Sequence, residues 1–209
     1  MPIGPMVRRL FGRHEHRVAA IYRSVFIDID AYGRQIGAWV PKARKILEVG
    51  CGEGAVTERL VDLYPGADIL AIDVTPNVGR LFRGCRDRVS FVQKTVQAVA
   101  LEQPGQFDLV ILSDVIHHVP IAIRHELLAA VRQTVAPGGS LVFKDWERTA
   151  TPIHWLCHAG DRWLTGDRVH YLDKGAADTL LAEAFGNLPI VAEARVTPWR
   201  NNFAMLVRG

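Results

Sequence analysis

Ile46-Leu47-Glu48-Val49-Gly50-Cys51-Gly52-Glu53-Gly54 is the stretch on which the fold turns. An apolar run from Lys45 to Val49 enters three glycines at alternate positions, and a helical pattern from Ala55 to Tyr64 follows. A short run of that kind, with β-branched residues, reads as a strand buried on both faces. The glycines let the backbone turn sharply and let a ligand come close to the main chain, where the N–H groups of the next helix face it. The neighbourhood of this loop narrows the ligand. Ile69 to Val74 reads as a second strand, and Asp73 near its end lies 25 residues beyond Glu48. A carboxylate at that place can accept both hydroxyls of a ribose. The dinucleotide fingerprint G-x-G-x-x-G does not fit, because glycines 50, 52 and 54 bring the third one residue early. Glu48 would also be badly placed beside a pyrophosphate, whereas it suits an ammonium group. The ligand expected is therefore a nucleoside that carries an ammonium.

Working outward, a helix is predicted near Val78 to Gly84, a third strand at Ser90 to Gln93 and a fourth at Phe107 to Ser113. A helix from Ile121 to Val135 follows, then a turn at Pro137-Gly138-Gly139 and a fifth strand from Ser140 to Asp145. Strands alternating with helices specify a parallel sheet covered on both faces. On the N-terminal side, Val18, Ile21, Tyr22, Val25, Phe26, Ile29, Tyr32, Ile36 and Trp39 recur at helical spacing, as two helices ending before Pro41. On the C-terminal side, Thr151 to Tyr171 and Lys174 to Phe185 read as helical. Ile190 to Val196 and Phe203 to Val207 read as strands whose short connection favours an antiparallel pair. One domain of 209 residues is expected: a helical cap over 1–44, a ligand-binding core over 45–146, and a substrate-cap segment with closing strands over 147–209.

The segments ILEVGCGEGAVTERL, ILAIDV, FDLVILSDVIHHV and LLAAVRQTVAPGGSLVFKDW are similar, in order and spacing, to successive motifs of the class I S-adenosylmethionine-dependent methyltransferases. The resemblance covers Ile46 to Trp146. It implies an α/β Rossmann-like, seven-stranded, mostly parallel sheet with helices on both faces, strand order 3-2-1-4-5-7-6 and an antiparallel last strand. It also implies S-adenosyl-L-methionine as cofactor. Glu48 and the loop Gly50, Cys51, Gly52 and Gly54 would hold its methionine part, Asp73 and Val74 its ribose, and Ser113 and Asp114 would lie beside the sulfonium. Many members bind the adenine amine with an acid after the third strand. Here Gln93 to Gln97 contains none, which leaves adenine to backbone groups around Val96 or to the Gln97 amide.

Methyl transfer from a sulfonium needs alignment, desolvation and sometimes a base. His117 and His118 follow the fourth strand's carboxyl end, where ligands of open α/β sheets bind, and imidazole has the pKa for the task. The same pair also resembles a family element that shapes the pocket without moving a proton, so both readings stand. No metal is expected. His154 and His158 share a helix face with Asp161 nearby, but the pair lacks the Glu of HExxH. Asp114 and Asp145 match two magnesium ligands of catechol-type methyltransferases, yet Trp146 stands where their Asn would be. Tyr22, Trp155 and Trp163 are the expected acceptor contacts, from the two aromatic stretches outside the common core.

Composition supports an ordinary globular chain, 49% hydrophobic and 22% charged. Cys51, Cys85 and Cys157 lie far apart, so reduced thiols in the cytoplasm are expected. Between Val7 and Arg23, five arginines face the single Glu15, which exceeds the chain's net charge of +3. That basic arm is either a solvated helix face or a contact for an acidic partner or membrane surface. No nucleic-acid motif and no membrane-spanning run are present. The function expected is methyl transfer to a small, partly apolar or aromatic acceptor. The alternatives are a macromolecular or carrier-bound acceptor, and a non-methylating nucleoside-binding relative.

Overall fold

The computed structural model describes residues 24–162, 169–186 and 189–209. The basic arm, Tyr22 and Trp163 lie outside them. Helix α1 (Ile29–Trp39) starts at Asp28, whose side chain accepts from the Ala31 N–H at 2.8 Å. The chain then alternates through β1 (Lys45–Val49), α2 (Ala55–Leu63), β2 (Asp68–Asp73), β3 (Val89–Gln93), α3 (Val96–Glu102), β4 (Phe107–Ser113), α4 (Arg124–Thr134) and β5 (Val135–Trp146). It closes with α5 (Pro152–Gly160), α6 (Lys174–Phe185), β6 (Ile190–Arg195) and β7 (Asn202–Arg208).

The seven strands form one sheet in the order β3-β2-β1-β4-β5-β7-β6. Strands β1 to β5 are parallel, and β7 runs antiparallel to both β5 and β6. Each central strand buries both of its faces. Ile46, Leu109, Ile111 and Val142 pack under α1 and α2 with Tyr32, Ile36 and Leu60. Leu47, Val110, Leu112 and Phe143 pack under α3, α4 and α6 with Val99, Leu128, Val131 and Leu181. Two apolar faces per strand explain why the sequence shows runs rather than alternation.

Two local expectations are corrected. Val78 to Gly84 is a series of turns, not a helix. Its N–H groups are taken by the glycine loop instead, Gly79 donating to the Gly52 carbonyl at 2.8 Å and Leu81 to that of Glu53 at 3.1 Å. The next helix is α3, which follows β3 and packs on the opposite face with α4 and α6; it is capped by Thr95, which accepts from the Ala98 N–H at 3.3 Å. Pro137 to Gly139 lies within β5 as an irregularity: Phe107 pairs with Val135, but Leu109 pairs with Ser140. Gly139 fits there because a Cβ would stand 2.9 Å from the carbonyls of both Ala136 and Phe107.

Candidate active site

The carboxyl ends of β1, β4 and β5 open into one cavity of about 270 Å³. Its first wall is the glycine loop. Gly50 and Cys51 both donate to the Ile72 carbonyl, at 2.8 and 3.0 Å, which ties the loop to β2. Gly50, Gly52 and Gly54 all have φ between +53° and +92°, the left-handed region that glycine enters without cost. A Cβ on Gly52 would meet nothing within 4 Å, so the backbone there borders open space.

Glu48 lies beneath this loop, 3% exposed, and accepts from Thr57 Oγ1 at 2.6 Å. Burial raises its pKa to about 7, against the hydrogen bond from Thr57, and Asp73 pushes the same way. A buried carboxylate with one neutral donor is a receptor for a cation. Asp73 accepts from the Gly52 N–H at 2.8 Å on one oxygen and from the Thr75 N–H at 2.9 Å on the other. A carboxylate has about four acceptor positions, so each oxygen keeps capacity for a ribose hydroxyl. Val74 is exposed beside it, and its carbonyl accepts from Gln93 Nε2. Val96 buries its side chain in the core, which leaves only its backbone for a ligand.

The opposite wall carries charge. Ser113 bonds the buried Tyr32 hydroxyl at 2.5 Å. Asp114 has φ +56°, an unusual conformation for a residue with a side chain, and its N–H donates to the Lys144 carbonyl at 2.9 Å. Lys144, 2% exposed, donates from Nζ to both Asp114 oxygens at 2.7 and 2.6 Å. His117 is buried, and its Nδ1 is hydrogen-bonded to Oδ1 of the fully buried Asp145. Burial by itself would lower the His117 pKa. The charge and hydrogen bond of Asp145, with Asp114 and Asp161 further off, outweigh it and hold the pKa above the usual imidazole value. Asp145 is shifted down: burial opposes ionisation, but His117, the Trp146 N–H and Lys144 favour it more. With Nδ1 held by Asp145, Nε2 is the nitrogen left for a ligand. His118 lines the same cavity but is exposed, its ring centre 4.2 Å from that of His117.

The outer part of the cavity is aromatic and partly polar. Phe26 and Trp146 meet edge to face at 5.9 Å, and Cys157, Asp161 and Asn202 complete the wall. Asn202 is fully buried; its Nδ2 donates to the Phe26 carbonyl at 2.6 Å, while its Oδ1 has no partner. Because a carbonyl can only accept, the amide orientation is fixed and the orphaned atom is an acceptor. Of the expected acceptor contacts, Trp155 is 65% exposed and not on this wall. The segment contributes Cys157 and Asp161 instead. Lys144, Tyr32 and the His117–Asp145 pairing were not anticipated. Lys144 had a signal, since a lysine inside the apolar run Ser140 to Trp146 requires a buried partner.

Asp114, His117 and Asp145 place ligand atoms within 4.8 Å of one another, a set that could hold a metal ion. It fits a metal poorly, because the Lys144 ammonium already bonds both Asp114 oxygens and Nδ1 of His117 is engaged with Asp145. The lining fits the charge of S-adenosylmethionine, since the buried Glu48 carboxylate stands on the cavity wall beside the glycine loop.

A family model described as methyltransferase domain matches residues 47–141. A ubiquinone biosynthesis O-methyltransferase of Xanthomonas campestris pv. campestris is 30% identical over 172 residues, covering 78% of this chain and 70% of that protein. The chain belongs to the class I S-adenosylmethionine-dependent methyltransferases. Its cofactor is S-adenosylmethionine. The protein of the same name from Methylococcus capsulatus is 36% identical over 110 residues, 51% of this chain but only 45% of that one, so the chain spans less than half of that relative. In fold, the chain is similar to Burkholderia thailandensis 1,6-didemethyltoxoflavin-N1-methyltransferase, solved with 1,6-didemethyltoxoflavin and S-adenosylhomocysteine bound. That match has a TM-score of 0.69 at 18% identity and covers 97% of this chain and 86% of the other.

Proposed function

We propose that this methyltransferase methylates a hydroxyl of a small, flat, partly apolar acceptor, with His117 as general base. The observation that carries the reading is a buried histidine, braced by a buried aspartate, on the wall of the cavity that also holds Glu48. When bound, S-adenosylmethionine supplies an electrophilic methyl group whose leaving group is a neutral thioether. Glu48 would hold its ammonium, the Gly50 to Gly54 loop its methionine backbone and Asp73 its ribose. Ser113 and Asp114 would border the sulfonium. Phe26 and Trp146 form the apolar enclosure for the acceptor ring and exclude water. The Asn202 oxygen accepts from a donor on the acceptor. Nε2 of His117 takes the hydroxyl proton as the new O–C bond forms, and Asp145 holds the imidazole in the tautomer with Nε2 bare and stabilises the imidazolium. The relatives named as O-methyltransferases support oxygen as the target. We place the protein in the cytoplasm on the strength of its three unpaired cysteines; separately, no described helix is long and apolar enough to cross a membrane.

The test is methyl transfer to a panel of mono- and dihydroxylated aromatic compounds, measured across pH. A protonated imidazole cannot accept a proton, so kcat should rise with pH through the raised His117 pKa. Replacing His117 by Asn should lower kcat by about 10²–10⁴-fold, with S-adenosylhomocysteine affinity within about twofold. Asp145→Asn should lower kcat and move the inflection to lower pH, since burial would then act without its counter-charge. A His117→Asn enzyme of unchanged kcat would remove the base from this reading.

A further inference from the structure

Behind the acceptor wall lies a second cavity, of about 370 Å³, that methyl transfer does not use. Arg124, Arg148, His154, His158 and His170 line it, and Asp173 is its one carboxylate among the described residues. Arg124 is 3% exposed. Its Nε donates to the Val119 carbonyl at 2.9 Å and its Nη2 to the His170 carbonyl at 2.6 Å. These bonds orient the guanidinium, and no carboxylate among the described residues is in ion-pair contact with it; Asp145, bonded to His117, acts on its charge only from further away. A buried cation of that kind is costly unless an anion answers it. Asp173 does not. One of its oxygens caps α6 through the Ala176 N–H at 2.9 Å, and the other meets Arg148 at 3.4 Å.

The imidazoles add donors. His154 Nδ1 accepts from Trp146 Nε1 at 3.1 Å. Indole only donates, so a neutral His154 carries its hydrogen on Nε2. Burial lowers the His154 pKa, and His158 and Arg148 lower it further, the mark of crowded positive groups. A cavity rich in N–H donors and poor in acceptors selects a ligand that only accepts. We propose that it binds a compact oxyanion of the phosphate class. Such an anion would bridge Arg124 and Arg148, with the histidines donating to its remaining oxygens.

The wall between this cavity and the first is one ring thick. Tyr171 stacks on His117 with ring centres 4.9 Å apart and planes 22° apart, and meets His154 edge-on at 4.9 Å. An anion seated against His154 and His158 therefore acts, through Tyr171, on the orientation of His117.

Calorimetric titration of the full chain with inorganic phosphate, at constant ionic strength, tests the site without requiring methyl transfer. Saturable one-to-one binding is expected. Arg148→Gln and His170→Gln, both at exposed positions, should each weaken it severalfold while S-adenosylhomocysteine binds within twofold of the parent. Turnover in the presence of phosphate separates two sources of the anion. Competition with the acceptor would mark a phosphate carried on the acceptor itself, and a changed kcat without competition would mark a separate ligand. Either result supports the site. Absence of saturable phosphate binding, or binding unchanged in Arg148→Gln, would overturn it, and neither bears on whether the first cavity methylates.

Discussion

In the proposed site Glu48 would be both a cost and a recognition element. Its folded pKa of about 7 lies above the usual carboxylate value. It therefore favours the folded state at low pH, and that contribution is lost as pH rises through about 7. An ammonium brought to it by the cofactor reverses the balance by favouring the ionised form. We expect S-adenosylhomocysteine to bind more tightly as pH rises from 6 to 8. Glu48→Gln should flatten that dependence and weaken binding by about 1.5–3 kcal/mol, the range for a hydrogen bond to a charged group. Calorimetry at several pH values checks it; a parallel pH dependence in the variant would assign the titration to another group.

At the scale of elements, the loop between β1 and α2 does two separable jobs. Gly50 packs its bare Cα against the segment after β4, where a Cβ would stand 2.3 Å from Val115 Cγ2 at φ +73°. Gly52 is also left-handed, at φ +53°, but a Cβ there would meet open space. Gly50→Ala should cost well over the roughly 1–2 kcal/mol of a left-handed alanine, because stiff Val115 must also move. Gly52→Ala should cost only about that amount in stability and, because its Cβ would stand in open space at the loop surface, should also weaken cofactor binding. Thermal melts beside calorimetry on both variants distinguish them. Equal loss of stability would show that the loop has no such division. The elements themselves were largely legible. Lys174 to Phe185 is the helix the spacing predicts, with Asp173 as its cap. Val78 to Gly84 was misread because its donors are satisfied by the glycine loop, a contact that periodicity does not encode.

For the molecule as a whole, the site is a meeting of segments distant in sequence. Asn202 on β7 reaches the Phe26 carbonyl, and the Asp28 N–H donates to the Thr197 carbonyl at 2.8 Å, so the N-terminal chain is fastened to the β6–β7 end of the sheet. The same convergence puts Asp114, His117 and Asp145 together, with Lys144 occupying the place a cation would take. We expect kcat to be unchanged after exhaustive treatment with EDTA. Loss of activity restored by magnesium or zinc would mean that a metal displaces Lys144 from Asp114.

By local pattern the sequence determined the alternation of strands and helices and the glycine loop, a buried run followed by glycines that take positive φ. The strand order of the sheet is the one that the methyltransferase resemblance implies. The acceptor end was decided by tertiary structure. Nothing in the spacing of His117 and Asp145, or of Asp114 and Lys144, announces a bond. Each pair forms because β4 and β5 lie side by side in parallel, bringing their carboxyl ends to one edge. Trp155 illustrates the converse: its place in an aromatic stretch outside the common core marked it as a pocket residue, yet α5 turns it to solvent and presents Cys157 to the cavity. Periodicity tells how a helix repeats, while the rotation of that helix against the sheet is set by everything it packs on.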